Sequence, residues 1–358
     1  METREIYQQT TRYFLHPILP LLDDAEISEV MINGVGPGSV FYEKKGLIFP
    51  AGNECCFTDV ESLLAAAQNI AEYVGRRLDR TTHSMDGRLP EGHRVHIIMP
   101  PAAKNGVTVT IRKFKESRLT LTDLVGFGSL SPPAAEFLAS CVRAHKNLVI
   151  SGGTGTGKTS LLNALSACIA DTERIIVIED TAELKLSQPH TVYLEAQPPS
   201  PDGNRGISIR DLFVDSLRMR PDRIIVGEVR RGEALDLIQS MISGHAGALT
   251  TVHANTPYDA AIRLETLCLM SDVELPQAVA RMQVASAIDV VVQIDRVEGR
   301  RRVSAISRLD SGESLRQNRY ILEPVYSTPP ADKLGELRDL AGLEKMTSEQ
   351  RAEWVANL

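Results

Sequence analysis

The residues with the clearest chemistry lie near the middle of the 358-residue chain. Gly152-Gly153-Thr154-Gly155-Thr156-Gly157-Lys158-Thr159, followed by Ser160, fits the pattern G-x-x-x-x-G-K-[ST]. The apolar residues Leu148, Val149 and Ile150 precede it as a strand and 160–165 follow as a helix, the context such a loop requires. Its glycines let backbone N–H groups converge on a β-phosphate without Cβ clashes, and the helix start adds a favourable dipole. Lys158 is expected to reach the β- and γ-phosphates, and the Thr159 hydroxyl to bind Mg²⁺. ATP with Mg²⁺ is the ligand this pattern fits.

Binding a triphosphate is not cleaving it; a water must be positioned and charge neutralised. The stretch 174–178 is an apolar strand ending in Glu179 and Asp180, with Glu183 after a turn. The stretch 223–227 is another, ending in Glu228. Ligands gather at the carboxyl ends of strands in open α/β sheets, so these acids are expected to face the loop. Glu179, Asp180, Glu228 and Thr159 are the candidate Mg²⁺ residues, in part through water. The apolar run ends in Gly227-Glu228 rather than Asp, which leaves open whether Glu228 holds Mg²⁺ through water or polarises the attacking water. A third segment, 243–255, is a glycine turn, a strand and a polar exit holding His245 and His253. His253, at a strand end, is the better candidate for a γ-phosphate or a catalytic carboxylate. No third ligand at strand or helix spacing makes these histidines a metal site.

The elements that must position these groups alternate. Helix 134–145 leads to strand 147–151, a helix from 158, strand 174–179, a helix near 208–219, strand 223–227, helix 232–243 and strand 248–253. Short apolar runs alternating with helices imply a parallel sheet covered on both faces. The stretches 287–295 and 301–308 read as a final strand pair, and 330–358 as a polar helical tail. Upstream, 26–34, 40–42, 46–49, 94–99 and 107–112 read as strands and 59–78 as a helix. Arg88 is placed in a turn, Asp86-Gly87-Arg88-Leu89-Pro90. Glycine, serine and proline gather in 115–133, the expected linker between domains 1–114 and 134–329.

Composition narrows the function class. Lys and Arg total 39 against 46 Asp and Glu, a net charge of −7, which argues against a dedicated nucleic-acid binder. Five cysteines without a CxxC pair argue against a disulfide framework or a zinc site. The first ten residues carry mixed charge and no apolar core, unlike a signal peptide, and no apolar run reaches the ~18 residues of a membrane span. A cytoplasmic protein is expected.

Taken in order, these segments resemble the secretion ATPase superfamily, the hexameric motors of type II and type IV secretion and of type IV pili. The likeness covers about residues 25–310, with a Walker A loop at 152–159, an Asp box at 174–183, a glycine–glutamate Walker B at 224–228 and a His box at 244–253. Within it, MDGRLPEGHRVHIIMPP, VTVTIRKF, IEDTAELKL, SLRMRPDRIIVGEVRRGEALDLIQSM and GALTTVHANTPYDAAIRLE look most like the CpaF-like Tad/Flp pilus assembly ATPases. Conjugation and type IV secretion ATPases share many of these and form the alternative. The four-cysteine zinc module frequent in type II assembly ATPases has no counterpart here. The resemblance implies an α/β fold: a smaller N-terminal α+β domain, a flexible linker and a RecA-like P-loop NTPase domain. It implies a homohexamer that hydrolyses ATP and works against an inner-membrane platform protein at the cytoplasmic face, with peripheral membrane association and no nucleic acid. It gives catalytic roles to Glu183 and Glu228, and to arginines matched by Arg88, Arg94 and Arg112. Arg210, Arg218, Arg220 and Arg230 are further candidates. The amino-terminal extension common in the Tad branch is nearly lacking here, and the stretch 197–206 is an expected exposed loop.

Three other functions could use the same loop. A RecA-like nucleic-acid translocase is disfavoured by acidic charge and 5% aromatic content. A nucleotide switch would not need two acidic strand ends and a histidine. A small-molecule kinase would need an acceptor pocket and lid that no segment supplies.

Overall fold

The computed structural model describes residues 2–79, 81–113, 119–197, 199, 205–297, 299–327 and 347. They divide into two compact units, Met1–Ser117 with Pro199–Arg205, and Arg118–Pro198 with Gly206–Leu358.

The first unit begins with α1 (Glu2–Phe14) and α2 (Leu19–Asp23), where the sequence reading placed no element. Strands β1 (Ile27–Ile32), β2 (Val40–Lys44) and β3 (Leu47–Pro50) precede α3 (Val60–Tyr73). Asp59 caps α3 by accepting from the Ser62 N–H, and Gly75 at φ +67° follows its end. The helix is therefore shorter than the expected 59–78, because only glycine takes that backbone readily. Strands β4 (Ser84–Arg88), β5 (Arg94–Ile98) and β6 (Thr108–Arg112) complete an antiparallel sheet ordered β3-β2-β1-β6-β5-β4. Val30, Ile32, Val95, Ile97, Val109 and Ile111 pack into one core with Leu63, Ala67 and Ile70 of α3. Strand alternation then sends Arg94, His96, Thr110 and Arg112 to the opposite face.

The second unit opens with α4 (Leu121–Gly126) and α5 (Pro132–Arg143). This corrects the expected 115–133 tether over its described part. Thr120 and Asp123 form a capping box on α4, and Leu124 and Leu130 are buried with Phe137 and Leu138 of α5. Then follow β7 (Leu148–Ser151), α6 (Lys158–Ser166), β8 (Ile175–Glu179), β9 (Thr191–Glu195), α7 (Ile209–Ser216), β10 (Arg223–Val226), α8 (Glu233–Ile242) and β11 (Leu249–Val252). Next come α9 (Pro257–Leu269), α10 (Gln277–Ala287), β12 (Val290–Val297), β13 (Arg300–Leu309), α11 (Ser311–Gln317) and β14 (Leu322–Ser327). The eight strands are ordered β14-β13-β12-β7-β11-β10-β8-β9. From β12 to β9 neighbours are parallel; β12, β13 and β14 pair antiparallel. Side chains of one strand alternate between two cores: Leu148 and Ile150 face α5 and α6, while Val149 faces α8, α9 and α10. The expected tail 330–358, residue 347 excepted, and most of the loop 197–206 lie outside the described residues.

Candidate functional site

The order of the sheet creates the site. β11 lies between β7 and β10, and β8 lies beyond β10, so four carboxyl ends stand side by side. They deliver the glycine loop, His253, Glu228 and Asp180 in that order.

The loop is held tightly. Gly157, at φ +100°, starts α6, and Gly155 has φ +71°. A Cβ on Gly152 would stand 2.4 Å from the Ile294 carbonyl, so only glycine passes there. Thr156 Oγ1 donates to the Gly153 carbonyl at 2.9 Å. Lys158 is 8% exposed, and its Nζ donates to the Gly152 and Gly153 carbonyls at 3.0 and 2.9 Å. Burial holds its pKa below the usual lysine value, and the carboxylates of Glu228 and Glu183 push it back up. Thr159 and Ser160 lie in the first turn of α6, partly exposed.

Next to it runs a chain of charges. His253 Nε2 lies 2.6 Å from Glu228 Oε1, and both His253 ring nitrogens lie 3.4 Å from Lys158 Nζ. Arg230 bonds Glu228 Oε2 through Nε at 2.8 Å and reaches Asp180 through Nη1 at 2.9 Å. Burial lowers the His253 pKa, with Glu228 opposing it. Burial works against the charge on Arg230, but Glu228 and Asp180 outweigh it and raise its pKa. Thr251 Oγ1 donates to the Gly227 carbonyl at 2.8 Å, tying the ends of β11 and β10. Glu233, 8% exposed, accepts from the N–H groups of Arg230 and Arg231 and fixes the loop carrying Glu228.

Two expectations need correction. Glu179 does not turn to a metal. It is 3% exposed, and Oε1 accepts from the N–H groups of Glu183 and Leu184 at 2.9 and 3.0 Å. Its carboxylate shapes the turn that carries Glu183, and Gly227 makes room for it, since a Cβ there would stand 2.9 Å from Glu179 Cγ. Arg88 does not lie in a turn. It ends β4, and the reversal runs through 89–93.

Arg88, Arg94 and Arg112 are nonetheless neighbours within the first unit. Arg88 pairs with Arg94 and Arg94 with Arg112 in register, so the three form one row across β4, β5 and β6. Glu29 is the next partner in that row. Like charges directly opposed in a sheet are unfavourable. Carboxylates lie against the row: Asp86 is 3.7 Å from Arg94, and Glu29 stands opposite Arg112.

Of the other candidates, only Arg230 joins the acids. Arg210 pairs with Asp236 and Asp272. Arg218 and Arg220 are exposed before β10, and His245 precedes β11, all at the opposite end of the strands. The sequence reading missed Glu233, whose signal is the acid in the first turn of α8. It also missed Arg301, whose Nε donates to the Gly155 carbonyl at 3.0 Å. Nothing local distinguishes it from its neighbours Arg300 and Arg302.

Among the described residues no cluster of three His, Cys, Asp or Glu side chains is arranged to hold a metal alone. Mg²⁺ characteristically takes one or two protein oxygens and completes its shell with phosphates and water. The Thr159 hydroxyl with the Asp180 and Glu228 carboxylates fits that role. The cysteines are free, and burial raises the thiol pKa of Cys55, Cys141 and Cys268, to about 12 for the last.

Comparison with known proteins supplies the family and the fold. The family model described as "Type II/IV secretion system protein" matches residues 14–311. The chain belongs to that family. This secretion-system protein is 34% identical over 306 residues to the conjugal transfer protein TrbB of Rhizobium radiobacter, covering 84% of this chain and 88% of the relative. It is 32% identical to the type IV secretion system protein VirB11 of Bartonella quintana, covering 82% and 91%. The ATPase DotB of Legionella pneumophila has the same fold, with a TM-score of 0.56 at 17% identity over 86% of this chain and 82% of that one. The fold of this family member is that of a two-domain P-loop ATPase. Among its described residues no helix is long and apolar enough to cross a membrane.

Proposed function

We propose that the protein hydrolyses ATP with Mg²⁺ and powers a conjugal-transfer or type IV secretion apparatus. One observation carries the hydrolysis: a complete phosphate loop on β7 with the Glu228–His253 pair, 2.6 Å apart, on the neighbouring strand ends. The names of the relatives favour the conjugation and type IV secretion branch over a Tad/Flp pilus motor, which becomes the second reading.

Loop N–H groups and Lys158 bind the β- and γ-phosphates. Thr159, Asp180 and Glu228 would hold the Mg²⁺, which would supply positive charge to the phosphates. Glu228, oriented by Arg230 and His253, aligns the attacking water, with Glu183 assisting. Arg88, Arg94 and Arg112 supply positive charge to the transferring phosphate. The working form is a homohexamer on the cytoplasmic side, pushing on an inner-membrane platform protein.

The test is Mg²⁺-dependent ATP turnover by wild type beside Glu228→Gln, with mass measured in ATP. Turnover in a hexamer, lost in the variant while ATP binding persists, is expected. Tight ATP binding without turnover in either protein would sink hydrolysis and leave a nucleotide switch.

A further inference from the structure

Arg301 is the charged group beside the loop that the mechanism above leaves unused. It lies on β13, opposite Arg296 on β12. Two residues further on, Val303 pairs with Ile294, and both lie in the core that includes α6 residues. Strand alternation puts Arg301 on that same face, one step beyond the core. There its Nε donates to the Gly155 carbonyl at 3.0 Å. Its Cδ lies 3.1 Å from where a Cβ on Gly157 would stand, so the glycine leaves it room. Among the described residues, Nη1 and Nη2 of Arg301 have no hydrogen-bond or ion-pair partner.

The sheet order says which part of a nucleotide this is. β7 has β11 on one side and β12 on the other. The catalytic acid and His253 stand on the β11 side, which is where the terminal phosphate must be cleaved. The nucleoside end then falls on the β12–β13 side. We propose that Arg301 is a nucleotide-binding residue: its Nε anchors it to the loop and its free fork takes the α-phosphate. This rests on the nucleotide reading above and adds a binding group to it.

The experiment is calorimetric binding of ADP and of a non-hydrolysable ATP analogue to the full chain, with R301A, R301Q and R301K. Arg301 is exposed, so all three should fold. R301A and R301Q are expected to weaken both nucleotides by the same factor, about tenfold or more, as for one charge-assisted hydrogen bond. R301K should recover part of the loss, and the salt dependence of binding should flatten in R301A and R301Q. Gln can still donate to the Gly155 carbonyl. Full recovery by R301Q would therefore overturn the proposal in favour of a loop clamp. A loss confined to the ATP analogue, or no loss, would also overturn it. A wild type that binds neither nucleotide would overturn the nucleotide reading itself and this proposal with it.

Discussion

His253 and Glu228 meet at 2.6 Å although 25 positions separate them in the chain. Parallel β10 and β11 place their carboxyl ends side by side, and the two residues leave those ends. Arg230 bonds the second oxygen of Glu228, the placement proposed above for a base that orients water.

His253→Ala should therefore slow turnover by about tenfold or more, with little change in ATP affinity. The double variant with Glu228→Gln should be no slower than Glu228→Gln alone, because groups acting as a unit are not additive. Steady-state turnover of the four proteins decides it. Independent, multiplying effects would show that the 2.6 Å pair is not a functional unit.

Gly152→Ala should abolish nucleotide binding while leaving most of the fold. Its Cβ would meet the Ile294 carbonyl at 2.4 Å and Thr156 Oγ1 at 2.7 Å, so the loop must shift. Nucleotide titration beside thermal unfolding checks both halves. The expected stability loss is about 1–3 kcal/mol.

Replacing Arg94 by Ala in the three-arginine row should cost about a hundredfold or more in turnover if the row serves the phosphate. Stability should change by less than about 0.5 kcal/mol, since relief of like-charge repulsion offsets a long 3.7 Å contact to Asp86. Unchanged turnover would assign the row to another anion.

Gly247→Ala tests a buried charge. Arg223 is 1% exposed, pairs with Glu173 at 2.6 Å and donates to the Gly247 and Val142 carbonyls. A Cβ on Gly247, itself at φ +85°, would stand 2.1 Å from Arg223 Nη1. Displacing this guanidinium should destabilise the second unit by more than about 2 kcal/mol in denaturant unfolding.

Glu265 on α9 sets an acid limit. Burial pushes its pKa up, but hydrogen bonds from Arg281, Gln277 and Tyr320 outweigh this and hold it below the usual glutamate value. A lowered carboxylate pKa contributes stability that is complete above about pH 4.5 and is lost as pH falls toward the folded value. Glu265→Ala should cost roughly 3–5 kcal/mol at pH 7 and flatten the acid limb of the stability curve. An unchanged limb would rule Glu265 out as its source.

The sequence by itself determined the parts that are local. The phosphate loop is contiguous, and parallel strands buried on both faces read as apolar runs ending in the acids. Even the unassigned α9 carried its signal: Thr256 before Pro257, with Thr256 accepting from the Asp259 N–H. Only the tertiary structure decided what faces what. Strand order is a long-range property, so nothing nearby in the chain sets His253 beside Glu228. One residue of register reverses a side chain's face. That is why Glu179 turns inward to backbone N–H groups while Asp180 meets Arg230, and why Arg301, among three consecutive arginines, is the one that reaches the loop.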